Sequence, residues 1–154
     1  AVLHPDLIKP LVDKDPRVGR LFPNFKEEEV SFFERTRIFP IMHVLGIKRE
    51  VVEKYPWVPL TLYHAFNEAK DVAMKRMVNP RIVPLAWYRE SWEEQEEIMG
   101  SDPWKYGMTE DNKNQLEKLV GYSHEQGLMK REIPLDELFL PMSQGHKRGD
   151  VFRV

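Results

Sequence analysis

Ile38-Phe-Pro-Ile-Met-His-Val-Leu-Gly-Ile47 is the stretch on which the reading of the fold turns. Both of its alternating faces are apolar, the pattern of a strand covered on two sides rather than one half open to water. Proline cannot donate to a sheet ladder, so Pro40 predicts a strand entrance, an edge or an inter-domain crossing. The segment therefore predicts an α/β fold whose sheet extends beyond what this chain supplies.

The text on either side is helical or irregular. From Pro5 to Pro23 the chain is broken by Pro5, Pro10, Pro16, Gly19 and Pro23 and reads as a connector. Asn24 stands three residues before Glu27, an N-cap and capping-box start for a helix to about Arg35 with Phe25, Phe32 and Phe33 on its apolar side. After the segment, Lys48 to Tyr55 reads as a short helix ended by Pro56. A longer helix starts near Val58, with Pro59 in its first turn and a stop at Asn79-Pro80. Val58, Leu62, Ala65, Phe66, Ala69, Val72, Ala73 and Met77 recur along it at helical spacing and predict a buried stripe.

Further helices are expected over Ala86 to Met99, closed by Gly100, and from Thr109 as cap to Gly127, with Leu116, Leu119 and Val120 inward. A last short turn covers Pro134 to Phe139. Residues 1–140 read as the body of the chain and 141–154 as a tail. Ala1-Val-Leu-His-Pro5 resembles the end of a buried strand, so the chain is expected to begin mid-fold.

Composition narrows the function classes. The 154 residues are 42% hydrophobic and 31% charged, as in an ordinary globular protein rather than a disordered one. A net charge of −2 offers no electrostatic footprint for nucleic acid or an anionic membrane. The absence of cysteine removes disulfides, thiolate nucleophiles and Cys-ligated metals together. No apolar run approaches the roughly 20 residues of a membrane-spanning helix. His-Glu-x-x-His, glycine-rich nucleotide loops and the Gly-x-Ser-x-Gly elbow are all missing, so no metal site is assigned and neither nucleotide binding nor serine hydrolysis has support.

Several phrases, in order along the chain, resemble the 4,5-dihydroxyphthalate decarboxylase family. They are Arg20-Leu-Phe-Pro23, Arg35-Thr-Arg-Ile-Phe-Pro-Ile-Met-His43, Tyr55-Pro-Trp-Val58, Ala65-Phe-Asn-Glu-Ala-Lys70, Trp104-Lys-Tyr-Gly107, His124-Glu-Gln-Gly127 and Asp136-Glu-Leu-Phe139. Two departures stand out: Arg37 occupies a place that is usually Gly, and Lys105 one that is usually Pro. The resemblance implies the C-terminal half of a two-lobed, type II periplasmic-binding-protein-like α/β fold. It also implies a carbon–carbon lyase of aromatic-compound catabolism, converting 4,5-dihydroxyphthalate to protocatechuate and CO2 in phthalate degradation. A rival from another class is a non-catalytic solute-binding protein of a transporter that captures a small anion. The cytoplasm is the expected compartment for the enzyme and the periplasm for the rival.

Such a decarboxylation needs a general acid near the ring, cations for two carboxylates and hydrogen bonds for the hydroxyls, with no redox cofactor. His43 is the candidate acid, because an imidazole donates and recovers a proton near neutral pH. The competing reading is a buried histidine satisfied by hydrogen bonds. Arg35 is the candidate carboxylate clamp, or else an arginine capping its helix. Thr36 would add a hydroxyl, Arg37 a second cation and His4 a strand-end contact to substrate. His124 reads as a helix C-terminal cap, and His64 and His146 as solvated. No cofactor is called for. The expected partners are a small aromatic carboxylate, the missing N-terminal half and further copies in a homo-oligomer.

Overall fold

A computed structural model describes residue 2 and residues 6–140, so His4 and the tail from Pro141 onward, including His146, lie outside the described residues. The chain divides into two units, Ala1–Thr36 and Arg37–Val154. The first holds α1 (Lys9–Val12) and α2 (Phe25–Thr36). The second holds α3 (Arg49–Lys54), α4 (Val58–Met77), a 3-10 turn over Pro80–Ile82, α5 (Tyr88–Met99), α6 (Glu110–Glu125) and α7 (Leu135–Leu138).

Among the described residues there is no strand, which overturns the α/β expectation and the two-lobed binding-protein architecture with it. Ile38 to Ile47 forms neither helix nor strand, and Met42 and Val44 are 70% and 67% exposed. The reason is physical. An extended segment becomes a strand only when a neighbour takes its backbone N–H and C=O groups, and the remaining described residues form helices and loops.

Local signals placed most helix ends correctly. The Thr109 hydroxyl accepts the Asn112 amide at 3.2 Å to cap α6. Pro59 lies in the first turn of α4, and that helix stops at Met77, just before Asn79-Pro80. Asn79 in turn caps the 3-10 turn by accepting the Arg81 amide. Gly100 follows α5 with φ 82°, and Gly127 follows α6 with φ 74°. In the first unit, α2 begins directly after Asn24, whose side-chain amide reaches Glu28 rather than Glu27. Arg20 lies over the ring of Phe25 at 4.4 Å.

Arg37, which follows α2, has φ 55°, a left-handed conformation that glycine adopts without strain and side-chain-bearing residues do not. The departure from Gly noted in the sequence is therefore a backbone matter as well as a matter of charge. Arg37→Gly is expected to raise stability by about 1 kcal/mol, measured as a higher urea midpoint at unchanged slope.

Packing departs most from expectation at α4. Tyr63, Asn67, Lys70, Met74 and Met77 step along the covered face, whereas Ala65, Phe66, Ala69, Val72 and Ala73 of the expected core stripe face outward. Phe66 and Val72 are 48% and 49% exposed. Leu119 of α6, also expected inside, is exposed, while Trp92 and Leu116 are the buried apolar residues among those described. His64, expected in solvent, is half-covered, and its Nε2 and the Gln115 Oε1 are buried without a hydrogen-bond partner.

Candidate functional site

A connected group of side chains lies where the covered face of α4 meets the loop of residues 102–107. The side chain of Lys70 is only 11% exposed. Its ammonium donates to Asp102 Oδ2 at 2.5 Å and to the Trp104 carbonyl at 3.0 Å, and it stands 4.9 Å from the centre of the Tyr106 ring. Two of the three ammonium hydrogens thus have oxygen acceptors, and the half-buried charge of Lys70 is paired. Asp102 also accepts the Trp104 amide at 3.1 Å, which folds the loop back on its own carboxylate.

Several further contacts fix the loop. The Asn112 side-chain amide donates to the carbonyls of Lys105 and Gly107 at 2.8 and 2.7 Å. The Tyr63 hydroxyl lies 3.5 Å from the Tyr106 carbonyl. Gly107 has φ 86°, and a Cβ there would lie 3.0 Å from Tyr63 Cε2. Gly107→Ala is therefore expected to cost about 1–2 kcal/mol through strain and crowding, seen as a lower thermal midpoint. On the other side of the loop, the Trp104 ring meets Phe39 edge to face at 5.9 Å, tying the Ile38–Ile47 segment to it.

Three phrases distant in sequence thus converge in the second unit: Phe39 from the first, Lys70 from the second, and Trp104 to Gly107 as the third. No protein-family model matches the chain. A curated 4,5-dihydroxyphthalate decarboxylase of Comamonas testosteroni is 33% identical over 130 residues, 83% of this chain and 39% of that relative. The chain is a distant relative of a dihydroxyphthalate decarboxylase. It spans about two fifths of that protein's length. Among the described residues, no helix is long and apolar enough to cross a membrane.

The sequence-predicted site residues occupy different settings. His43 is exposed in the Ile38–Ile47 segment, four residues beyond Phe39, so it is not the buried, strand-borne histidine that the apolar pattern predicts. Arg35 is exposed in the last turn of α2, where its guanidinium donates to the Ser31 hydroxyl at 3.3 Å. Thr36 donates its hydroxyl to the Phe32 carbonyl at 2.7 Å, the ordinary back-bond of a helical threonine. Arg37 is exposed, and it opens the second unit. Arg35 and Thr36 belong to the first unit and His43 to the second. His124 stands in the last turn of α6, and its Nδ1 pairs at 3.2 Å with the Met129 carbonyl, which lies beyond the helix, rather than with one of the last carbonyls of α6.

The tether at Lys70 and Asp102 was not foreseen from residue types. Its only signal was that Lys70 closes one of the ordered phrases and Trp104 to Gly107 make up another. Among the described residues no group of three or more His, Asp or Glu side chains could hold a metal. The resolved shifts in ionisation lie elsewhere, on surface pairs. A side-chain hydrogen bond from Arg131 holds Glu137 below its ordinary value, and Asp15 is held down likewise by Arg17.

Because its folded value is depressed, the Glu137 contribution is present above the ordinary carboxylate range and is lost as pH falls through the folded value. Amide protection in α7, taken relative to the intrinsic exchange rate at each pH, should therefore fall on acidification through that range, and Glu137→Gln should remove this dependence.

Proposed function

We propose that this chain contributes to a decarboxylase acting on a dihydroxylated aromatic dicarboxylic acid, 4,5-dihydroxyphthalate or a close analogue, and yielding protocatechuate and CO2. The observation that carries the reading is the relationship to a 4,5-dihydroxyphthalate decarboxylase over most of this chain. The exposed setting of His43 supports it further, since an acid must reach a substrate that arrives from solvent.

In this reading the His43 imidazolium protonates the ring carbon that bears the departing carboxylate. The carbon–carbon bond then breaks, its electron pair restores aromaticity, and CO2 leaves; His43 regains a proton from water. The ring hydroxyls feed electron density to the carbon being protonated, which lowers the barrier without a redox step. Arg35 is the proposed clamp on a carboxylate through two parallel N–H donors. Thr36, Arg37 and His4 are its proposed companions at the substrate.

The test is turnover by the polypeptide that carries these 154 residues, supplied with 4,5-dihydroxyphthalate and followed by chromatography for protocatechuate. Product formation above the uncatalysed rate supports the proposal. A folded polypeptide that forms none refutes it.

A further inference from the structure

We propose a binding site for a small dianion in the open cleft at the C-terminal end of α4, formed by Lys75, Arg76 and Arg81. The cleft has a volume of about 310 Å³ and is lined by these three cations with Asn79 and Ile82. No carboxylate lines it. Elsewhere among the described residues several cations do meet an acid: Arg17 pairs with Asp15, Lys70 with Asp102, Arg89 with Glu93 and Arg131 with Glu137. The ion pairs of the described residues leave out Lys75, Arg76 and Arg81.

The scaffold that presents the three is held by its own hydrogen bonds. The Asn79 amide donates to the Arg76 carbonyl at 3.0 Å, its side-chain oxygen accepts the Arg81 amide at 3.0 Å, and the Ile82 amide donates back to the Asn79 carbonyl at 3.1 Å. The Tyr88 hydroxyl donates to the Met77 carbonyl at 2.8 Å and anchors the end of α4 to α5. Cations in the last turn of a helix interact favourably with its dipole, which accounts for Lys75 and Arg76. It does not account for Arg81, which lies beyond the helix, within the 3-10 turn that Asn79 caps.

Three like charges around one concavity repel one another, and a ligand with at least two negative oxygens removes that cost. Guanidinium groups match the oxygen pairs of carboxylate and phosphate. The shared chemistry is therefore a compact dianion, either a phosphate or an aromatic dicarboxylate. The site is independent of the reading of His43.

The experiment is an amide-resolved NMR titration of the whole chain at low ionic strength, in separate arms with inorganic phosphate and with phthalate. Saturable shifts confined to residues 75–82 are expected, with half-saturation near about 1 mM. Arg76→Gln with Arg81→Gln should weaken them about tenfold or more. Lys75→Gln alone, at an exposed helical position, should weaken them less and guards against a double variant that fails to fold. Saturation by phosphate alone or by phthalate alone identifies the ligand class. Shifts that do not saturate by about 20 mM, or that persist unchanged in the variants, overturn the site.

Discussion

Lys70→Met is expected to destabilise the chain by about 2 kcal/mol, read as a lower urea midpoint. The substitution keeps much of the length and apolar character of the stem, so the loss falls on the ammonium and its partners. Asp102 then carries a partly covered carboxylate with no cation, and the Trp104 carbonyl loses a donor. A fully buried pair broken in this way costs more, but Asp102 keeps 34% of its side-chain surface in water, which moderates the penalty. Arg89→Met, which breaks an exposed pair one helical turn apart, should change stability by less than about 0.5 kcal/mol. Equal effects of the two substitutions would mean that the loop of residues 102–107 is not held through Lys70.

The second large effect is on chemistry. If His43 is the general acid, His43→Gln should lower kcat for protocatechuate formation by about 100- to 10,000-fold while KM changes little. Glutamine retains hydrogen-bonding capacity but cannot deliver a proton near neutral pH. The setting of His43 makes folding defects an unconvincing explanation for such a loss, because the residue is exposed and outside every helix. A variant with full activity would remove His43 from the reaction and leave Arg35 and Arg37 as binding groups at most.

Helix boundaries were legible in the sequence because they depend on neighbours in the chain. Proline at the start of α4, the Thr109 hydroxyl at α6 and glycines after α5 and α6 act within a turn or two of where they stand. Packing was not legible in the same way. The apolar stripe of α4 does mark one face, but which face is covered depends on what lies opposite. Here the loop of residues 102–107 offers Asp102 and two carbonyls to the polar side, and that face is the one enclosed.

The Ile38–Ile47 segment failed as a strand for a related reason. Alternating apolar residues describe an extended segment with two faces to cover, but they cannot supply the neighbouring backbone that a ladder requires. Phe39 finds an aromatic partner in Trp104, whereas Met42 and Val44 remain open. Of the candidate site, the residue types at Arg35 and His43 were readable, because acid–base and carboxylate-binding chemistry selects them. The tether between Lys70 and Asp102 joins positions 32 residues apart and carries no local motif.

The most direct measurement of the proposed function is the fate of the carboxyl carbon. With 4,5-dihydroxyphthalate labelled in its carboxyl groups, the polypeptide carrying this chain should release labelled CO2 in a one-to-one ratio with protocatechuate that retains its other carboxylate. Recovery of the substrate with both labelled carboxyl groups intact, from a folded and substrate-bound protein, would contradict it.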